Sequence, residues 1–184
     1  VAESGGTTGK SAGALAWITS NDSRGASGAD GGFSGGVVAA ATNGTQRTFT
    51  ETILKDVIAQ VWTEGGTPKI LMVGPFNKQT VSGFAGIAEI RYNQATPRPT
   101  VIIGAADVYV SDFGAVSVVP NRFQRERDAF VLDPEYAATA ILRPIQTMDL
   151  AKTGDAQKKM IITEMTLECR NEAGSGIVAD LLTS

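Results

Sequence analysis

The sequence predicts an α+β fold with a largely antiparallel sheet. Its first half contains one long amphipathic helix, a short strand and a short helix, and its second half is mostly a run of strands. Apolar residues recur at helical spacing between positions 48 and 63, and polar and apolar residues alternate over Glu164–Arg170 within the predicted strand Met160–Arg170. Helices that precede a run of strands favour α+β over a regular alternation of the two.

Small and polar residues dominate the first 47 positions. We predict a linker over Val1–Gly9 and the end of a helix over Lys10–Thr19. Asn21–Gly44 is predicted to be a long flexible loop with one apolar patch at Val37–Ala41. The chain begins with Val1 and not with methionine, so we expect further sequence upstream.

The clearest helix is predicted from Thr48 to Thr63. Thr48 and Glu51 have the spacing of a capping box, and Gly65 with Gly66 can supply a left-handed stop. The residues predicted to share its buried face are Ile53, Leu54, Val57, Ile58, Val61 and Trp62.

Shorter elements are predicted after this helix. A strand over Lys69–Val73 should lead into a helix capped by Asn77 and reaching Phe84, with irregular chain over residues 85–100. The later predicted strands are Ala106–Val110, Val116–Val119, Ala129–Leu132, Ala138–Leu142 and Met160–Arg170.

A proline predicts where one of the last two strands ends, and the alternation of polar and apolar residues predicts the faces of the other. Pro144 should end the strand Ala138–Leu142, and a polar connection should run from Gln146 to Lys158. Cys169 falls on the apolar side of the final strand, so we predict that it is a small core residue without reactivity.

Composition excludes several kinds of catalysis. The chain has no histidine and one cysteine, which excludes Ser-His-Asp and Cys-His chemistry and the usual zinc sites. A metal-free hydrolase using serine and lysine stays possible, although no serine has the glycine-framed setting of a nucleophile elbow. The sequence therefore predicts no catalytic residue, no metal site and no cofactor.

One basic cluster stands out in an otherwise mildly acidic chain of net charge −3. It contains Arg122, Arg125 and Arg127, with Glu126 and Asp128 beside them. The cluster can be a solvated loop, a set of ion pairs between subunits, or a contact with nucleic acid. These three arginines are our candidate subunit-interface residues.

Seven short phrases carry a family resemblance. They occur in this order: Met72–Lys78, Asp107–Tyr109 with Ser111–Gly114, Val119–Phe123, Leu132–Pro134, Leu142–Pro144, Leu150–Asp155 and Arg170–Glu172. Together they resemble tailed-bacteriophage major capsid proteins with the Hong Kong 97-like fold.

The resemblance implies a subunit with a wedge-shaped A domain and part of a P domain built from a long spine helix and a long-stranded sheet. Residues 1–47 would hold the end of the spine helix and a flexible Gly-rich loop. Residues 48–145 would form mainly the A domain, and residues 146–184 would return to the P domain. Nothing in the sequence matches the N-terminal arm or the extended loop of such proteins.

The implied function is a self-assembling virion subunit, made in the bacterial host cytoplasm, which encloses double-stranded DNA. Its partners would be other copies in hexamers and pentamers, together with portal, scaffold or decoration proteins, and no membrane. A cellular nanocompartment shell with the same fold is the nearest alternative, and the metal-free hydrolase is a more distant one.

Overall fold

A computed structural model describes residues 11–34, 37–84, 108–152 and 154–183. The described strands form one six-stranded sheet and two separate two-stranded sheets. The predicted mixture of helix and sheet, with sheet predominant, is confirmed.

The described helices are α1 (Ala14–Trp17), α2 (Glu51–Thr63) and α3 (Pro75–Ser82). The described strands are β1 (Asp22–Ser23), β2 (Gly32–Ser34), β3 (Val37–Ala39), β4 (Ile70–Val73), β5 (Val108–Ser111), β6 (Gly114–Pro120), β7 (Ala129–Leu132), β8 (Ala137–Asp149), β9 (Lys159–Cys169) and β10 (Gly176–Val178). Short 3-10 turns lie at Pro134–Tyr136 and Glu172–Gly174.

The six-stranded sheet has the order β1-β10-β7-β4-β6-β5. The pairs β1–β10 and β4–β6 are parallel, and the other three pairs are antiparallel. Strand β10 was not predicted, because Gly176–Val178 is too short to show a period. It lies between β1 and β7, as the second strand from one edge of the sheet.

Helix α2 packs its apolar side against this sheet. Leu54, Val57, Ile58 and Val61 are fully buried, which confirms most of the predicted face. Trp62 is an exception, because it is 54% exposed. The centroid of its ring lies 5.1 Å from that of Phe113 in the β5–β6 turn. Trp62 therefore packs at the edge of the core and is not part of it.

Both ends of α2 show how its length is fixed. Thr50, and not the predicted Thr48, is the N-cap, and its side chain accepts a hydrogen bond from the amide of Ile53. At the C-terminus Gly65 has φ +87°, and the amides of Gly65 and Gly66 donate to the carbonyls of Trp62 and Val61. This is a Schellman arrangement, so the predicted glycine stop is confirmed.

We expect Leu54→Ala to lower the free energy of unfolding by about 2–5 kcal/mol, because the site is fully enclosed and cannot collapse easily. Thr52→Ala, on the exposed side of the same helix, should change it by less than about 0.5 kcal/mol. Chemical denaturation of both variants measures the difference. Equal effects would contradict the assignment of the buried face.

Several predicted local features are wrong. The Asn21–Gly44 segment is not a featureless loop, because β1 joins the main sheet and β2 pairs with β3. Asn77 does not cap α3. That helix begins at Pro75, and Asn77 is buried, donating to the carbonyl of Glu126.

Other predictions in this half of the chain have mixed outcomes. The helix expected over Lys10–Thr19 is described as the single turn α1. The predicted linker and the irregular stretch at residues 85–100 lie outside the described residues.

The predicted stop at Pro144 is also wrong. Strand β8 continues through this proline to Asp149. The first part of the predicted polar connection is therefore strand, and the rest leads across the tip of a hairpin to β9. The β8–β9 register shifts between Ile141 and Arg143 and again between Arg143 and Gln146. A proline cannot donate to the ladder, and an irregular register is where a strand tolerates one.

Candidate subunit interfaces

The β8–β9 hairpin exposes more apolar surface than any other described element. Every residue from position 141 to 150 is exposed, and Ile141 and Met165 face each other across the ladder at 61% and 55% exposure. The other exposed apolar residues of the hairpin are Leu142, Ile145, Met148, Leu150, Met160 and Ile161. An isolated two-stranded hairpin is marginally stable in water, so this one is suited to contact another surface.

Cys169 lies at the base of this hairpin. Its side chain is only partly buried, so the predicted core position is wrong for the single chain. Burial still raises the pKa of the thiol, with a further contribution from the charge of Glu172. A raised pKa keeps the thiol protonated and agrees with the predicted lack of reactivity.

The six-stranded sheet has a second exposed apolar surface. On the face opposite α2, Ile18 packs with Ile177 and covers the end near β10. Toward the edge strand β5, Val108, Val110 and Val119 are 50%, 56% and 39% exposed. This face is therefore covered at one end and open at the other.

The predicted arginine cluster divides into two parts. Arg127 donates to Asp180 Oδ1 at 2.9 Å and to the carbonyl of Gly44 at 2.6 Å, so it holds the chain together internally. Arg125 donates to Asn43 and lies 3.3 Å from Asp128. Burial raises the pKa of Asp128, and the neighbouring Arg125 only partly offsets this.

Arg122 differs from the other two arginines. It is exposed and makes no ion pair with another described residue, and the adjacent Phe123 is 92% exposed. Arginine and large aromatic residues dominate the energy of many protein interfaces. The Arg122–Phe123 tip is therefore the part of the cluster that is free to meet another molecule.

Asp180 forms a clasp that the sequence did not predict. Its buried carboxylate accepts the amides of Gly25 and Gly44 at 3.1 and 2.7 Å and pairs with Arg127. An added Cβ at Gly25 would lie 2.0 Å from the carbonyl oxygen of Thr45, so the close approach requires glycine. The clasp ties residues 25–44 to the C-terminal segment, and its partners are too distant in sequence to be found by local patterns.

Glu172 forms a second tie between distant segments. Its carboxylate accepts hydrogen bonds from the hydroxyl of Ser20 and from the amides of Thr19 and Ser20. Burial opposes ionisation of Glu172, but these hydrogen bonds outweigh it and hold its pKa below the ordinary value of a glutamate. The ionised form therefore stabilises the fold.

Glu172→Gln is expected to lower the free energy of unfolding by about 1–2 kcal/mol at pH 7, because a charge-assisted acceptor is lost. A lowered folded-state pKa stabilises above the unfolded pKa, and the contribution disappears as pH falls through the folded value. The difference between variant and parent should therefore be complete at neutral pH, begin to shrink as pH falls through the ordinary glutamate pKa of about 4.3, and disappear once pH is below the lowered folded-state pKa. Denaturation curves between pH 3 and pH 7 measure it, and a difference independent of pH would contradict this role.

Metal sites, surface grooves and membrane-spanning helices are the remaining features of the described residues that bear on function. They contain no group of three or more acidic, cysteine or histidine side chains placed to hold a metal. An open groove beside α2 is lined mostly by polar residues. None of the described helices has the length and apolarity required to cross a bilayer.

The comparison with family models decides the family. A model described as SU10 major capsid protein matches residues 1–182. The chain belongs to the SU10 major capsid protein family. The resemblance to tailed-phage major capsid proteins is thereby confirmed, and no curated protein matches the sequence.

Two solved structures are similar to this member of the capsid family. One is a virus-like particle from Pyrococcus furiosus, with 11% identity, a TM-score of 0.39, and coverage of 73% of this chain and 54% of the other. The other is the holo-SrpI encapsulin complex from Synechococcus elongatus PCC 7942, with 11% identity, a TM-score of 0.44, and coverage of 73% and 50%. The chain thus spans about half the length of these two structures.

Proposed function

We propose that the chain is a structural, non-enzymatic subunit of an icosahedral bacteriophage capsid, which self-assembles into hexamers and pentamers and encloses double-stranded DNA. The observation that carries this proposal is the match of residues 1–182 to a major capsid protein family. The net charge of −3 supports a container that does not grip its nucleic acid through a strongly basic face.

The exposed surfaces support assembly by repeated contacts between copies. A ring of identical subunits needs two different complementary surfaces on each copy, because the contacts run head to tail. The β8–β9 hairpin and the open face near β5 are two such apolar surfaces on different parts of the fold. Each can be covered by a neighbour without any rearrangement of the core.

The described architecture suggests how the expected domains are divided. We assign the six-stranded sheet with α2 and α3 to the A domain and the β8–β9 hairpin to the P domain. Strand β10 then brings the chain back to the A domain after the hairpin. Residues 48–145 would remain mainly A domain, whereas residues 171–183 would rejoin it.

The arginine cluster takes a specific role within this proposal. Arg122 would contact a neighbouring subunit directly, while Arg125 and Arg127 would position the loop that carries it through their bonds to Asn43, Gly44 and Asp180. Portal, scaffold or decoration proteins would be further partners, and synthesis would take place in the host cytoplasm.

Particle mass and contents test the proposal. We expect the full-length protein to form capsomers or megadalton shells in light scattering, and shells purified from infected cells to contain double-stranded DNA. A monomer at every concentration would contradict the capsid role. Shells filled with cargo protein and free of DNA would support a nanocompartment instead.

A further inference from the structure

The tip of the β8–β9 hairpin is basic. Lys152, Lys158 and Lys159 surround it together with Asp149. Asp149 pairs with Lys159 at 3.3 Å, whereas Lys152 and Lys158 are exposed and make no ion pair with another described residue. The exposed Asp155 lies in the same turn, so Lys152, Asp155 and Lys158 together leave a net charge of +1 at the end of a strand of 13 residues, which spans about 40 Å.

The groove beside α2 has the opposite charge. Asp56 and Glu64 lie in it, along with uncharged residues that include Ser20, Gln60 and Thr63. Both carboxylates are exposed and neither is paired with another described residue. No lysine or arginine lines the groove. The nearby Lys55 is not among its lining residues and is paired with Glu51 at 2.9 Å.

We propose that the Lys152–Lys158 tip of one subunit docks into the Asp56–Glu64 groove of a neighbouring copy of the same chain. This rests on the proposed function as a shell subunit. The occupant is a second copy because the two surfaces carry complementary unpaired charges and both belong to this chain. Tip and groove are different surfaces, so the contact is head to tail, as a ring of subunits requires.

The charges in this contact would set register and partner orientation more than total affinity. Opposite potentials steer two surfaces together, and like charges placed against each other oppose the contact. The apolar faces of the hairpin would then supply most of the binding energy once the tip is seated. Because ion pairs between exposed groups are screened, assembly should also weaken as salt is raised.

A charge-exchange experiment tests the contact in the full-length protein. Lys152→Glu with Lys158→Glu, and separately Asp56→Lys with Glu64→Lys, should each raise the protein concentration needed for assembly at least tenfold. All four substitutions together should return it to within about threefold of the parent, since the charges are again complementary. Light scattering and electron microscopy measure assembly, and circular dichroism checks that each variant folds.

A decoy pair controls for net charge. Asp112 and Glu135 are exposed acidic residues outside the groove. Combining Asp112→Lys and Glu135→Lys with the two tip substitutions gives the same net charge as the fourfold exchange without restoring the groove contact. This combination should assemble as poorly as the tip variant alone.

The outcomes separate this inference from the function on which it rests. If the parent protein assembles and neither charge reversal impairs it, the contact does not exist. If both reversals impair assembly but the exchange does not restore it, the two sites act on different partners. If only the tip variant is impaired and it packages less DNA, the lysines contact nucleic acid. If the parent protein itself never assembles, the proposed capsid function is contradicted, whatever the charge-reversal variants do.

Discussion

Asp180→Ala is expected to lower the free energy of unfolding by about 3–5 kcal/mol, because removing one partner of a buried ion pair leaves the other charge uncompensated. Asp180 is only 2% exposed and binds Arg127 as well as the amides of Gly25 and Gly44. The alanine variant would leave all three donors without this acceptor. It would also force alanine into the left-handed region, where Asp180 has φ +60°.

Asp180→Asn separates the charge from the geometry. Asparagine adopts the left-handed conformation readily and keeps one carbonyl acceptor, so the loss should be smaller, about 1–3 kcal/mol. Arg122→Ala is the matched control, because that exposed arginine makes no ion pair with a described residue and should cost less than about 0.5 kcal/mol.

Hydrogen exchange locates the effect of Asp180→Ala. Amides of residues 25–44 should lose protection first, since the clasp ties this segment to the C-terminal residues. Urea denaturation gives the stability difference. An effect equal to that of the Arg122 control, with unchanged protection of Gly25 and Gly44, would show that the clasp contributes nothing.

Local patterns predicted the elements that depend on local physics. The buried side of α2 follows from 3.6-residue spacing, its end follows from Gly65, and β9 follows from two-residue alternation. The observed turn between β5 and β6 also lies in the gap between the predicted strands Ala106–Val110 and Val116–Val119. In each of these cases the information lies within about a dozen neighbouring residues.

The predictions that failed depend on contacts between distant positions. Residues 21–44 were predicted to be a flexible loop because glycine and serine dominate them, yet the amides of Gly25 and Gly44 are bound by Asp180, which lies 155 and 136 residues away in the sequence. Strand β10 is three residues long and exists because β1 and β7 flank it. Pro144 predicted a break, but the irregular register of β8–β9 accommodates it.

The prediction made for the arginine cluster was limited in the same way, because it depends on contacts between distant positions. Sequence clustering identified Arg122, Arg125 and Arg127 as one basic group, but it could not show which of them have partners elsewhere in the chain. In the folded chain Arg127 pairs with Asp180, and Arg125 contacts Asn43 and Asp128. Arg122 remains exposed. Their interface role stays a prediction, and it concentrates on Arg122.

The second large effect is expected in assembly and not in folding. Ile141→Lys combined with Met165→Glu replaces an exposed apolar cross-strand pair with an oppositely charged pair. Such a pair also stabilises an antiparallel ladder, so the free energy of unfolding of the subunit should change by less than about 1 kcal/mol. The apolar surface available to a neighbour is lost.

Assembly should respond strongly to this exchange. Burying an isoleucine and a methionine contributes about 1.5–3 kcal/mol each, so each intersubunit contact loses roughly 3–6 kcal/mol. Since about 1.4 kcal/mol corresponds to a tenfold change in an equilibrium constant, the contact should weaken at least 100-fold. Sedimentation of the full-length protein across a concentration series measures this.

A single substitution on the same strand provides the comparison. Thr166→Lys adds a charge at an exposed polar position of β9 without removing a large apolar side chain, and this variant should still assemble. Normal assembly of the Ile141→Lys and Met165→Glu variant would place this face of the hairpin outside every subunit contact. Loss of assembly with an unchanged unfolding curve would show that the exposed pair serves the shell, because it makes no net contribution to the stability of the single chain.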